Sequence, residues 1–387
     1  MVADIIPLIA GVLVFLSSLI SLEVGISVAI VELLLGVIAG NYFGFQPEPW
    51  MTYLAGFGGV VLTFLAGAEI DLPLMRSKLK QSLLIGGASF LFPFVGTFAY
   101  TYWILSWPLN AALIAGIALS TTSLAVVYSV LVETGLTNTP LGKLIMASTF
   151  VTDMCTALAL SILFLTPNEF TVPFVIVSVL VVWIGAQFSK LLFNDRIYKN
   201  KVVEPEIKYL FLLLLVLIFF ASLGNSQAVL PAFALGLFMS PYFSESTETK
   251  VVRNRLRTVA YALITPFFFI VGGLNVSLPL VIGAAGLFLA LLVIKQATKF
   301  AGVYFLARKY LPKREMYVTL LMSTGLTFGT IASLYGYQGG YIDKTQFSVI
   351  VAVVIASAVI PTLIAQKWFR PMHDEDVIDY DRSRYRR

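Results

Sequence analysis

The chain has 387 residues, of which 58% are hydrophobic and only 12% charged, and its mean hydropathy is +0.89. A water-soluble domain carries roughly 25% charged residues. This chain therefore lacks the polar residues to cover a water-facing surface, which leaves a polytopic membrane protein. The basic residues behind the net charge of +5 lie in short loops between apolar runs, where they set orientation rather than mark a nucleic-acid partner.

A spanning helix needs about 20 mostly apolar residues. Thirteen runs qualify: 5–21, 25–42, 52–70, 81–104, 109–133, 140–165, 171–194, 207–223, 226–243, 258–275, 279–309, 315–337 and 345–368. They are continuous rather than alternating, so an all-α protein is expected and a β-barrel is excluded. The first run has no A-x-A-like cleavage site after it and reads as a span, not a signal peptide. A membrane domain over 1–368 and a short charged tail over 369–387 follow.

Basic residues fall on alternate loops: Arg76, Lys78 and Lys80 after the third run, Lys143 after the fifth, and Arg196, Lys199 and Lys201 after the seventh. Lys250, Arg253, Arg255 and Arg257 follow the ninth, and Lys313 and Arg314 the eleventh. Lys344 is the exception on the other side. The positive-inside rule then predicts a cell-membrane protein with its N-terminus outside and its C-terminus in the cytoplasm, which requires an odd number of spans.

Two runs have polar interiors. The fifth contains Ser120, Thr121, Thr122 and Ser123, and the twelfth contains Ser323, Thr324, Gly325 and Thr327. Small polar residues can simply pack membrane helices together. Their matched positions, seven runs apart and so of opposite direction, instead suggest two inverted six-helix repeats with crossed broken helices. The repeats would cover about 5–165 and 207–368, with 171–194 as a linker helix. Transporters built this way bind substrate at the midplane beside the broken helices.

The ionisable residues at depth are few. Asp153 lies halfway along the sixth run, Lys295 and Lys299 share a face of the eleventh, and Glu32 lies within the second. Glu69 and Asp71 fall at the end of the third, at the interface. A charge at the bilayer centre costs about 2.5–3.5 kcal/mol on insertion scales, so Asp153 reads as functional. Burial favours the neutral form of a carboxyl and an adjacent cation favours the ionised form. An acid poised between the two holds a proton or a metal cation but not both, and Thr149, Thr152 and Thr156 supply neutral oxygens nearby. The competing reading makes Asp153 a structural partner of a buried lysine. For the lysines the alternative is snorkelling to the headgroups, open to one of them if the helix tilts. For Glu32 it is a packing hydrogen bond. With one cysteine, Cys155, and one histidine, His373 in the tail, no disulfide, histidine metal site or cofactor is expected.

In their order these segments resemble the second family of monovalent cation:proton antiporters, which includes bacterial sodium/proton antiporters and potassium efflux systems. The residues that carry the resemblance are 26–40 with Glu32, 64–72, 118–123, 232–240, 266–273 and 299–302 with Lys299. The resemblance places the ion-carrying carboxylate on Asp153 and the neighbouring site position on Thr152. It puts the broken-helix hydroxyls on Thr122 and Ser123, with Thr121, Ser323, Thr324 and Gly325 in the breaks, and the membrane lysine on Lys299. It implies a homodimer with a moving ion-carrying core, exchanging Na+ (or K+, Li+) for H+ and acting as a transporter rather than an enzyme. Threonine at 152, where relatives often carry an acid, leaves Lys299 without that partner. No GxGxxG follows a strand in the tail, so no nucleotide-binding domain of the potassium efflux type is expected. An ungated potassium/proton exchanger and a coupled organic-solute transporter remain as alternatives. An aspartyl protease would need two carboxylates sharing a proton, and only one aspartate lies deep. A channel would carry rings of polar residues in a symmetric assembly, which an inverted repeat disfavours.

Overall fold

The computed structural model describes residues 5–24, 27–68, 70, 78–136, 139–164, 168–194, 204–245 and 247–371. Glu69, Asp71, most of the loop after 194 and the charged tail lie outside the described residues. Among the described residues the secondary structure is helical throughout. Among the described residues ten helical stretches are long and apolar enough to cross a membrane, and three shorter apolar helices coincide with the second, seventh and ninth runs. The count of thirteen spans is therefore not confirmed. The second run forms only 15 helical residues, Val28–Tyr42, about 22 Å at 1.5 Å per residue against a hydrocarbon core of about 30 Å.

In chain order the helices are α1 (Ile6–Val24), α2 (Val28–Tyr42), α3 (Pro49–Ala68), α4 (Leu79–Ala99), α5 (Leu109–Ser120), α6 (Leu124–Glu133), α7 (Pro140–Leu163) and α8 (Thr171–Asn194). Then come α9 (Pro205–Leu223), α10 (Val229–Glu245), α11 (Thr247–Val259), α12 (Thr265–Leu274), α13 (Leu278–Gly283), α14 (Ala285–Tyr310), α15 (Glu315–Met322), α16 (Thr327–Gln338) and α17 (Lys344–Trp368). Short π-helical segments, Tyr100–Ile104 and Ala260–Ile264, continue α4 and join α11 to α12.

Local chemistry explains key starts. Thr139 caps α7 by accepting from the Gly142 N–H, with Pro140 at the first helical position, where its missing N–H costs nothing. Asp343 and Gln346 form a capping box that opens α17.

The packing separates into two bundles. One holds α1–α3 and α8–α12; the other holds α4–α7 and α13–α17. The first is locked by glycines. Gly67 and Gly236 bring α3 and α10 into backbone contact, and Gly36 and Gly273 do the same for α2 and α12. Without a hydrophobic drive between helices in lipid, such close approach is the main source of attraction. The second bundle is built around α4, which packs on α5, α7 and α14. Its interior is unusually polar, with Thr122, Ser123, Asp153, Lys295 and Lys299 all buried. The outward faces of α1 and α8 are apolar, with Phe15, Leu22, Val172 and Trp183 exposed. A polar interior inside an apolar rim is the pattern of a multi-pass membrane protein.

A Cβ at Gly236 would collide with the Phe64 carbonyl of α3, whereas one at Gly56 meets nothing within 4 Å. Gly236→Ala is expected to lower the melting temperature of the detergent-purified protein, by an overpacking cost of about 1–3 kcal/mol. Gly56→Ala should leave it unchanged; equal melting of the two variants would refute the close-packed seam.

Candidate ion-binding site

Two helices unwind inside the second bundle. α5 ends at Ser120 and the chain runs extended through Thr121, with ψ 155°, before α6 begins at Leu124. α15 ends at Met322, and the chain passes through Ser323–Leu326 before α16. Backbone groups freed within a bilayer need new partners. The Ser123 N–H donates to the Thr324 carbonyl at 3.0 Å, so each break helps to satisfy the other. The Thr122 hydroxyl donates to the Met322 carbonyl at 2.8 Å, and Ser323 and Thr324 hydroxyls donate to Thr319 and Leu321 carbonyls.

Lys299 closes this crossing. Its ammonium donates to Ser89 Oγ at 2.8 Å and to Thr122 Oγ1 at 3.0 Å. Lys295, one turn earlier, has its Nζ against the backbone of Gly325, near Thr121, without a hydrogen-bond partner among the described residues. Both lysines are 0% exposed, so neither snorkels to the headgroups. The reason is geometric: α14 turns this face onto α4 and α15.

Asp153 lies midway along α7 and is 2% exposed. Its Oδ1 has no hydrogen-bond partner among the described residues, and no ion pair within 4 Å joins it to a lysine. It lies within electrostatic reach of Lys299 all the same. A carboxylate with free acceptor capacity beside a lysine can exchange a proton for a metal cation. Asp153 borders a cavity of about 30 Å³, room for one or two waters or a partly dehydrated ion. The cavity lies at the seam between bundles, walled by α3 on one side and by α6, α7 and α16 on the other. Phe328 of α16 also lines it, and at the opposite end of the bundle the rings of Phe164, Tyr335 and Tyr341 pack with centroids 5.0–5.7 Å apart.

Of the residues expected from sequence, Thr121, Thr122, Ser123, Ser323, Thr324, Gly325 and Lys299 meet at the crossing. Asp153 stands beside the cavity, which Thr122 and Ser123 do not line. The Thr152 hydroxyl faces α4, donating toward the Gly86 and Ser148 carbonyls, and Thr156 donates to the Thr152 carbonyl. Glu32 is buried in the other bundle, on α2 against α12. Sequence reasoning missed Ser89, whose only signal is a hydroxyl in the small-residue stretch Gly86–Ser89 of an apolar run. It also missed the cavity wall formed by Tyr128, Arg257 and Tyr261. The Arg257 guanidinium lies 5.6 Å from the ring centroids of both tyrosines.

A bundle with crossed broken helices and a lone carboxylate at its seam defines a membrane transporter architecture. Residues 11–370 match the family described as "Sodium/hydrogen exchanger, transmembrane", and the chain belongs to that family. It is 27% identical to the Na(+)/H(+) antiporter of Enterococcus hirae, over 92% of this chain and 96% of that one. It is 26% identical to a probable Na(+)/H(+) antiporter 3 of Methanocaldococcus jannaschii, over 86% and 88%. Its fold matches that of the sodium proton antiporter MjNhaP1 from the same archaeon with a TM-score of 0.68, at 15% identity, over 94% and 97% of the two chains.

The hydroxyls around Lys299 are not equivalent. Ser89→Ala removes one acceptor, whereas Thr122→Val also orphans the Met322 carbonyl at a helix end. Thr122→Val is expected to be the more destabilising by about 1–3 kcal/mol in thermal unfolding. Equal losses would show that the Thr122–Met322 bond contributes nothing.

Proposed function

We propose that this protein is a secondary transporter that exchanges Na+ for H+ by alternating access at Asp153. The observation that carries the reading is the buried Asp153 carboxyl, with an unpartnered oxygen among the described residues, on the wall of the inter-bundle cavity. Membership of the sodium/hydrogen exchanger family and relatives named as antiporters, which are not enzymes, support it.

Asp153 carries the ion, with Thr152 beside it on α7 and the hydroxyls of Thr122 and Ser123 at the nearby crossing. Lys299, held by two hydroxyls, is the fixed counter-charge. The second bundle is the moving, ion-carrying body, and Glu32 braces the other. The glycine seams pair the third run with the ninth (α3–α10) and the second with the tenth (α2–α12), so a shift of seven runs turns one seam into the other, which supports inverted repeats at about 5–165 and 207–368, with α8 as linker. The basic loops support a cell-membrane protein with its C-terminus in the cytoplasm, and the apolar faces of α1 and α8 are available to lipid or to a second copy in a homodimer.

One carboxylate carrying one proton one way and one cation the other moves no net charge, so the exchange is electroneutral. Were Lys299 to release a proton as well, each cycle would gain about 2.3 kcal/mol per 100 mV of membrane potential.

Proteoliposomes with the purified protein should release trapped protons on addition of Na+, and Asp153→Asn should insert normally yet abolish the response. Persisting Na+-driven proton flux in Asp153→Asn would remove Asp153 from the mechanism. Response to K+ without Na+ would identify a potassium exchanger.

On a solid-supported membrane the wild type should give no Na+-driven transport current. A current that disappears in Lys299→Gln while exchange persists would make Lys299 a proton carrier and overturn electroneutrality.

A further inference from the structure

A cation stands on the wall of the cavity that must admit cations. Arg257 belongs to a basic stretch of α11, yet its role differs from that of its neighbour. Arg255 is paired with Glu204 at 3.0 Å, in the segment that opens α9. Arg257 lines the same cavity as Asp153.

Its position is built by both bundles. Tyr261 follows four residues later in the π-helical segment, on the same face of the helix. Short π segments of this kind are often found at functional sites. Tyr128 comes from α6, the half-helix beyond the first break, in the other bundle. The guanidinium lies over both rings, 5.6 Å from each centroid, and so spans the seam. The pairing uses the attraction of a cation for aromatic faces. All three residues are half-buried, at the end of the cavity toward the basic loops.

We propose that Arg257, clamped between Tyr128 and Tyr261, is the affinity-determining residue of the cavity mouth on the basic-loop face. Its charge opposes the cation held at Asp153 and keeps affinity low on that face. The clamp ties this repulsion to one conformation, because movement of the bundles separates Tyr128 from Arg257. A cation then meets the repulsive charge on one face and not on the other. The inference rests on the reading of Asp153 as the ion carrier.

The test measures half-saturating Na+ for exchange in everted and right-side-out vesicles, in alkaline medium. There protons compete least for Asp153, and the Na+ affinity itself is read. For charges about 10 Å apart at an effective dielectric of ~20–40, removing one changes affinity on the order of tenfold. Arg257→Gln should lower half-saturating Na+ by about that factor in everted vesicles and leave it within about twofold in right-side-out ones. Arg257→Lys should retain most of the wild-type value. Tyr128→Leu, which removes the ring from α6 but keeps the charge, should shift in the same direction as Arg257→Gln, while Tyr128→Phe should match the wild type. No shift in Arg257→Gln, or an equal shift on both faces, overturns the proposal. If Arg257→Gln does not fold, Tyr128→Leu decides: an unchanged value overturns it. Asp153→Asn runs alongside. If that variant still exchanges ions, the ion-carrier reading fails; if it is inactive and the Arg257 and Tyr128 variants are silent, only the mouth proposal fails.

Discussion

Backbone polar groups cannot be left unsatisfied in a bilayer, and the whole second bundle is arranged around two places where the helical ladder is interrupted. Thr121–Ser123 and Ser323–Leu326 expose N–H and C=O groups at membrane depth. The Ser123 to Thr324 backbone bond and the Thr122 to Met322 bond repair part of the loss. Helix ends meeting at one point also concentrate partial charges there. Lys299, held by Ser89 and Thr122, and Lys295, lying against Gly325, bring two amines to the same point. Breaks, hydroxyls and lysines thus form one unit.

That unit accounts for the position of Asp153. A carboxylate on α7 sits near enough to Lys299 to feel its charge, yet makes no ion pair with it. A tight pair would consume the acceptor oxygens and leave nothing for a passing ion. The hydroxyls of Ser89 and Thr122 hold the ammonium, which leaves the carboxylate open toward the seam. The separation of the ammonium from the carboxyl is a consequence of who donates to whom.

The two bundles differ in what holds them. In the first, glycine seams bring helix backbones together and leave no freedom to slide. In the second, polar groups inside a ring of helices set the geometry. Packing between the bundles is sparse by comparison, and the cavity runs along that boundary. A rigid frame beside a polar core, with a loosely packed seam between them, suits relative movement of the two bodies.

Much of this was legible in the sequence because lipid imposes severe rules. Apolar runs of about 20 residues marked the helices, and charge-free interiors made Asp153, Lys295 and Lys299 conspicuous. The polar interruptions at 120–123 and 323–325 gave the broken helices. What the sequence could not give were relations across the chain. Seeing both lysines buried required knowing that α14 turns that face inward. Thr122 reads as an ion ligand in one dimension, but in three its hydroxyl is occupied by Lys299 and Met322. Ser89 carries no distinguishing signal, since a serine among small residues is ordinary in a membrane helix. Arg257 reads as one more loop cation until α6 brings Tyr128 across the seam. Periodicity and transfer energy are local properties and are written in composition; which hydroxyl meets which charge depends on contacts between residues some two hundred positions apart, and only the tertiary structure decides those.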